Sequence, residues 1–192
     1  VRASVAGNVN TPVEIIKKLS GDENFAVRAA VAGNQNAPES VLSRLSVDEY
    51  SFVRAEVASN VSASAGALIG LAEDSNFYVR ANVASNKVAS TGLVESLARN
   101  NHYAVRSAAA ANSNISDPML KELAVDTVDD VRQGVAINSR ISQELSEALV
   151  SDVSVPVRMS LASNKNVSTK VLGQLADDTS PSVRVEVATN EN

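Results

Sequence analysis

The residues in this sequence with the most obvious chemical potential are arginines and aspartates at a fixed spacing. Asp22 stands six residues before Arg28, and the same interval separates Asp48 from Arg54. A guanidinium and a carboxylate can form a bidentate ion pair, whereas a row of unpaired arginines could bind phosphates or acidic peptides. We favour a structural ladder, in which each Asp caps a helix and pairs with an Arg of its own or the adjacent motif copy. The ladder comprises Arg28, Arg54, Arg80, Arg106, Arg132 and Arg158 with Asp22, Asp48, Asp74, Asp126 and Asp152.

The sequence offers no set of side chains suited to catalysis or to metal binding. His102 is the one histidine and there is no cysteine, so neither a Ser-His-Asp triad nor a thiolate metal site is available. The paired carboxylates Asp129-Asp130 and Asp177-Asp178 fall at expected turns, where solvation and helix capping account for them. We therefore expect no enzymatic activity, no metal and no cofactor.

Aromatic side chains are confined to short segments that end just before a Val-Arg pair, in the first four copies of the motif. Equivalent segments farther along the chain carry no ring. The rings could seal the helix layers beneath the loops. Alternatively, they could form a continuous partner-binding strip, since aromatic residues provide large contact areas at low entropic cost. This aromatic strip comprises Phe25, Tyr50, Phe52, Phe77, Tyr78, His102 and Tyr103.

A repeat of 26 residues positions all these side chains and runs through the chain without insertion or deletion. A Val-Arg pair opens each repeat, at positions 1, 27, 53, 79, 105, 131, 157 and 183, which gives seven repeats and ten residues of an eighth. A fixed period in this range is typical of stacked repeat arrays. The pattern predicts an all-α fold, an α-solenoid superhelix of seven two-helix repeats and a partial eighth. It would form a single repeat domain over 1–192.

The first helix of each repeat is predicted from its start signal and its apolar spacing. Thr11 would be the N-cap, with Pro12 in the first turn. Later repeats carry Ser in place of Pro12, and that Ser can itself be the cap, so the boundary could move by one residue. Ile15, Ile16 and Leu19 would lie on one face of this helix.

The second helix is predicted to be a shorter α or 3₁₀ helix of about two turns, held by stacking. Val27 and Val31 would face the core, and an invariant Ala, at Ala32 in this repeat, would let neighbouring helices approach closely. Six residues after each Arg comes an Asn. It would end the helix, either in a left-handed conformation or by bonding the exposed carbonyls of the turn. These asparagines complete the structural ladder, at Asn34, Asn60, Asn86, Asn112, Asn138 and Asn164.

Composition and charge limit the partners and the location. The chain has 17 basic and 22 acidic residues. When the Arg and Asp that recur in the repeats are left out, nine basic and sixteen acidic residues remain. An acidic variable surface argues against nucleic acid, whose phosphates need basic contacts. No apolar run is long enough for a membrane span. The absence of cysteine and of a signal peptide favours the cytoplasm, and the start in mid-motif without Met indicates a fragment of a longer chain.

The pattern VRxxVAxN followed by PxxxLxxLxxD, present as VRASVAGNVNTPVEIIKKLSGD at 1–22, resembles the leucine-rich repeat variant family over all 192 residues. That resemblance implies alternating α and 3₁₀ helices in two layers. The iron–sulfur cluster of a known member is held by cysteines, so it cannot be carried over to this chain. The Asp-to-Arg spacing also resembles HEAT repeats, whose units usually run longer with two fuller helices.

Both families consist mostly of binding scaffolds. We therefore expect a non-catalytic repeat scaffold that mediates protein–protein or protein–peptide interaction, without nucleic acid or membrane. One alternative is a HEAT-like superhelix that binds nucleic acid, which salt-dependent DNA or RNA binding would reveal. The other is a targeting module for an enzyme located in flanking sequence.

Overall fold

A computed structural model describes residues 1–192 and contains fifteen α-helices and no strand. The helices group into two compact units, Val1–Leu93 and Val94–Asn192, with the boundary inside α8. The predicted all-α helical repeat fold is confirmed, and the assignment of 1–192 to one domain stays a prediction. The helices are α1 Arg2–Ala6, α2 Val13–Leu19, α3 Phe25–Ala32, α4 Glu39–Leu45, α5 Ser51–Ser59, α6 Ala65–Ala72, α7 Phe77–Ser85, α8 Thr91–Ala98, α9 Tyr103–Ala111, α10 Asp117–Leu123, α11 Asp129–Ala136, α12 Gln143–Leu149, α13 Val155–Ser163, α14 Thr169–Leu175 and α15 Pro181–Thr189.

The first unit alternates between two kinds of helix. The second helices α1, α3, α5 and α7 pack on one another in chain order, and the first helices α2, α4 and α6 contact the helices that flank them. Val53 and Val57 of α5 and Leu42 of α4 are fully buried between them. Each such side chain contributes about 1.5–3 kcal/mol when it leaves water, so stacking stabilises helices that are too short to persist alone.

The second unit repeats this arrangement. The second helices α9, α11, α13 and α15 pack in chain order, with α10 against α9 and α11, and α14 against α13 and α15. Val131 and Val135 of α11 are fully buried, and so are Ala110 and Ala136, two copies of the invariant alanine. The predicted burial of a small side chain between neighbouring helices is therefore confirmed.

The first helix starts differently from the prediction. Its N-cap is Pro12, and the Thr11 hydroxyl donates to the carbonyl oxygen of Val5 at 2.5 Å instead of capping the helix. Thr11 lies one residue too early to reach the first-turn amides. Where a later repeat carries Ser at the proline position, the predicted cap can form, as Ser142 Oγ accepts from the Leu145 amide at 3.2 Å.

The predicted apolar face of the first helix is only partly buried in α2. Ile16 is fully buried, but Ile15 is exposed and Leu19 is half-buried. The equivalent residues Val41 and Leu45 of α4 are both buried.

The second helices are α-helices and are not the shorter ones. From α3 onward they have eight or nine residues, against seven or eight for the first helices, so the 3₁₀ layer implied by the family resemblance is not seen. The burial of both Val27 and Val31 explains why α3 is an α-helix and not a 3₁₀ helix. Residues four apart share a face on a helix of 3.6 residues per turn, but not on one with three.

One glycine sets the close approach of two helices in the second unit. A Cβ added at Gly134 of α11 would lie 2.5 Å from the Ser107 carbonyl oxygen and 3.0 Å from Ala110 Cβ, both in α9. Gly134→Ala should therefore force α9 and α11 apart and lower the free energy of unfolding by about 1–3 kcal/mol, despite its gain in helix propensity.

The matched control for this prediction is Gly173→Ala in α14, where an added Cβ would meet open space. This change should raise the free energy of unfolding by up to about 1 kcal/mol, the difference in helix propensity between Gly and Ala. Chemical unfolding of both variants tests the argument. Stabilisation by both substitutions would show that the two helices do not approach as closely as described.

Candidate interaction surface

Five of the six ladder arginines form bidentate ion pairs with aspartates twenty residues later. In the first unit Arg28 donates from Nε and Nη2 to the Asp48 carboxylate at 2.6 and 3.0 Å. Its Nη1 donates to the Asp22 carbonyl oxygen at 2.9 Å. The aspartate that is near in sequence thus contributes its backbone, and the carboxylate comes from the following turn. Each of these guanidiniums therefore links two turns. One precedes its own second helix, and the other precedes the second helix of the following repeat.

The prediction that each Asp caps the second helix is wrong. Tyr50 is the N-cap residue of α5, and its backbone amide donates to the Asp48 carboxylate at 3.0 Å. In α3 the N-cap is Asn24, whose side chain accepts from the Ala26 amide at 2.9 Å. The aspartates stand two residues too early to reach the first-turn amides, so they fix the turn that leads into the helix.

The side chains of these ion pairs are mostly buried, and both partners are held by hydrogen bonds. Their arginine side chains are 12–17 % exposed and their aspartates 7–12 %. Burial by itself raises the pKa of Asp152, but the Arg132 hydrogen bond, the Ser154 amide and the arginine charges hold that pKa below its ordinary value. Guanidiniums held in this way do not form a free row for phosphates. The pairs are Arg28–Asp48 and Arg54–Asp74 in the first unit, and Arg106–Asp126, Arg132–Asp152 and Arg158–Asp178 in the second.

The fourth repeat carries Asn100 where the others carry Asp. In the second unit Asn100 keeps the turn, because its Oδ1 accepts from the His102 amide and its carbonyl accepts from Arg106 Nη1, both at 3.0 Å. In the first unit Arg80 Nη1 donates to the Asp74 carbonyl at 2.6 Å. An amide can replace the carboxylate in this turn, since the turn itself needs only one acceptor.

Within each unit, the ladder asparagines tie the end of a second helix to the end of the second helix before it. Asn34 Nδ2 donates to the carbonyl oxygens of Ala6 and Asn8 at 2.8 and 3.0 Å, and its Oδ1 accepts from the Asn36 amide at 2.9 Å. The predicted left-handed conformation is wrong, because no residue has a positive φ. The alternative holds in part: the side chain bonds backbone carbonyls, but they belong to the preceding repeat and not to its own turn. The same bonds recur at Asn60 and Asn86 in the first unit and at Asn138 and Asn164 in the second, where Asn112 accepts through its carbonyl from Asn138.

The aromatic strip lies at the beginnings of the second helices. Its Phe and Tyr side chains are 40–57 % exposed, which does not fit rings tucked beneath the loops. The strip divides between the two units, and each part is a surface feature of its own unit. Tyr50 and His102 are N-cap residues, Phe25, Phe77 and Tyr103 are first residues of α3, α7 and α9, and Phe52 and Tyr78 are second residues of α5 and α7.

Three of these rings meet in the first unit, and we call Phe25, Tyr50 and Phe52 the aromatic cluster. Phe25 stacks on Tyr50 with ring centroids 4.8 Å apart, and it meets Phe52 edge to face at 6.5 Å. The Arg28 guanidinium lies 5.5 Å from the centre of the Tyr50 ring. The cluster therefore forms one apolar surface, and its Tyr50 ring already contacts the Arg28 guanidinium.

The histidine has a structural task in the second unit. His102 Nδ1 accepts from the Ala104 amide at 3.3 Å, which caps α9. Its ring stacks on Tyr103 with centroids 5.1 Å apart. The ring is thus positioned by its own helix and by its neighbour in sequence.

A groove of about 360 Å³ lies beside the aromatic cluster, between α3 and α5. Its small residues come from α3 and from the positions directly after α1 and α3, and Phe52 and Glu56 line it from α5. Phe52 and Glu56 are four residues apart, so they share one face of the helix. The lining includes Gly7, Ala26, Ala30, Gly33, Phe52 and Glu56.

Glu56 is the only charged side chain in that lining. It is half-buried, and burial raises the pKa of its carboxyl above the ordinary value with no cation to oppose the shift. An Arg or Lys side chain that reached this carboxylate would therefore meet an acceptor with no ion-pair partner. This groove was not among the features predicted from the sequence. The available signal was glycine at the seventh position of a repeat, which occurs only at Gly7 and Gly33.

No group of three or more His, Asp or Glu side chains is arranged to hold a metal ion. None of the helices combines the length and the apolar character that crossing a membrane requires.

Comparison with known proteins places these features in context. The chain is similar to a solved structure described as a leucine-rich repeat variant with a novel repetitive protein structural motif. The two are 29 % identical, with a TM-score of 0.61, over 94 % of this chain and 72 % of that one. An engineered protein matches at 17 % identity and a TM-score of 0.28, over 97 % of this chain and 84 % of that one. No family model and no curated protein matches. The predicted resemblance of this chain to the leucine-rich repeat variant family is therefore confirmed.

Proposed function

We propose that the protein is a non-catalytic repeat scaffold that binds a protein or peptide partner through its aromatic strip. The observation that carries the proposal is the aromatic cluster, in which Phe25 contacts both Tyr50 and Phe52 while each ring keeps at least 40 % of its surface exposed. Aromatic side chains are enriched in the cores of protein interfaces, where they bury large areas with few rotatable bonds.

The charge arrangement supports a protein partner over a nucleic acid. Five ladder arginines are held in buried ion pairs, and the remaining charged residues are predominantly acidic. Binding to a phosphate backbone depends on basic side chains that are free to replace counterions.

The experiment compares the wild-type protein with a variant that lacks the aromatic cluster. Phe25→Ser, Tyr50→Asn and Phe52→Ala introduce residues that other repeats carry at the same positions, so the fold should be kept. Both proteins are used to select from a random peptide library displayed on phage. We expect the wild type to enrich specific peptides and the variant to bind them at least about tenfold more weakly, as for loss of interface anchors.

The control removes exposed aliphatic surface away from the rings. Val125→Ser with Val153→Ser changes two residues that are 81 % and 91 % exposed, and it should leave peptide binding intact. Circular dichroism and chemical unfolding verify that each variant is folded. Equal peptide binding by the ring-free variant, or salt-dependent binding of DNA or RNA with no peptide selected, would refute the proposal.

A further inference from the structure

We propose that the groove between α3 and α5 binds a basic side chain of the partner, preferentially arginine, with the Glu56 carboxylate as its ion-pair partner and the Phe52 ring beside it. This inference rests on the proposed function and specifies the chemistry of the partner at one site. The groove adjoins the aromatic cluster, because Phe52 belongs to both. A basic residue in the groove would place its sequence neighbours on the exposed rings.

The first argument is the state of the Glu56 carboxylate. The ladder aspartates have their cations within the chain, but no cation lies beside Glu56, and burial alone raises its pKa. Leaving such a carboxylate half-buried is unfavourable unless a positive charge reaches it. A guanidinium can form two parallel hydrogen bonds with a carboxylate, and its flat face can stack on an aromatic ring, which favours arginine over lysine.

The second argument is the placement of the two glycines. Gly7 and Gly33 adopt ordinary right-handed backbone angles, with φ of −81° and −77°. Ile137 occupies the equivalent position of α11 with φ of −84°, so the backbone does not require glycine there. What glycine provides is space, since a Cβ on Gly33 would lie 2.8 Å from Glu56 Oε2. The glycines keep the groove open and leave room for the carboxylate.

Two other grooves lack this combination. The groove beside Gly66 and Gly70 in the first unit, of about 470 Å³, contains Arg54 and Asp74, whose charges already neutralise each other. In the second unit, a groove of about 290 Å³ contains Glu186 but no aromatic residue. Glu186 therefore offers a matched control at the same repeat position.

The test uses the peptides that the wild type selects from the phage library. Each selected peptide is synthesised with arginine and with citrulline, a neutral residue of the same shape, and its Kd is measured by calorimetry. We expect arginine to be enriched among the selected peptides. Both the change to citrulline and Glu56→Gln should weaken binding at least about tenfold, as for loss of one partner of an interfacial ion pair.

Two further variants separate charge from folding. Gly33→Ala keeps the carboxylate but displaces it, so it should also weaken the arginine peptide, whereas Glu186→Gln should leave every Kd unchanged. Selected peptides that need the aromatic cluster but are indifferent to Glu56→Gln would overturn this inference and leave the proposed function standing. Selection of acidic peptides would overturn it as well. Failure of the wild type to select any peptide would remove the proposed function and this inference together.

Discussion

Replacing Asn138 by alanine is expected to lower the free energy of unfolding by about 2–5 kcal/mol, because buried backbone groups lose their partners. The Asn138 side chain is fully buried and donates to the carbonyl oxygens of Ala110 and Asn112 at 2.6 and 3.0 Å. Its Oδ1 accepts from the Arg140 amide at 2.8 Å. Alanine can satisfy none of these groups, although the Asn112 carbonyl oxygen would still accept from the Ile115 amide.

Two comparisons make this prediction specific to the hydrogen bonds. Asn101→Ala removes an exposed asparagine from the same unit and should change the unfolding free energy by less than about 0.5 kcal/mol. Asn138→Asp would set a carboxylate against two carbonyl oxygens, so its stability should improve as acid protonates it. Chemical unfolding at neutral and acidic pH measures both effects. Similar losses for Asn138→Ala and Asn101→Ala would rule out a structural role for the asparagine bonds.

Replacing Arg132 by alanine is expected to cost about 3 kcal/mol, as for a buried ion pair that loses one partner. The Asp152 side chain is 7 % exposed, and its carboxylate would keep only the Ser154 amide as a hydrogen-bond donor. Lys121→Ala is the control, because Lys121 pairs with a glutamate at the surface and its loss should cost less than about 1 kcal/mol. Equal effects of the two substitutions in chemical unfolding would contradict this account of the ladder.

The same pair gives a pH dependence with a definite sign. The pKa of Asp152 is lower in the folded protein than its ordinary value, since Arg132 and the Ser154 amide outweigh the effect of burial. Its contribution to stability is therefore present above about pH 4, the ordinary range of aspartate, and is lost as the pH falls through the folded pKa. Arg132→Ala should remove much of this loss, so the two proteins should differ less at pH 3 than at pH 6.

The period and the identity of the repeat-building residues could be predicted from the sequence because each recurs at one position. The pairing of the arginines could not. Arg28 stands six residues from Asp22 and twenty from Asp48, and the spacing alone left open which of the two carboxylates it pairs with. The stacking of the helices decides the matter, since it brings the carboxylate of the next turn to the guanidinium and leaves Asp22 to offer its carbonyl.

The burial of Glu56 in the groove could not be predicted from the sequence for a related reason. Glu56 stands at a position that varies among repeats, so its sequence neighbours say nothing about its environment. Its half-buried state results from the approach of α3 to α5 at Gly33, a residue 23 positions earlier. The aromatic residues and their repeat positions could be identified from the sequence, but the exposure of their rings depends on where each helix begins.

The asparagine bonds have a consequence for how such a chain can change its length. Each hydrogen bond from an asparagine side chain to a carbonyl of the preceding repeat joins residues 26 or 28 positions apart. Each arginine ion pair joins residues 20 positions apart. Inserting or deleting a single residue in that interval would put both sets out of register at once. A gene for this protein can therefore lengthen or shorten safely only by whole periods, through duplication or unequal crossing-over between matching codons. Point substitutions are then left to diversify the surface.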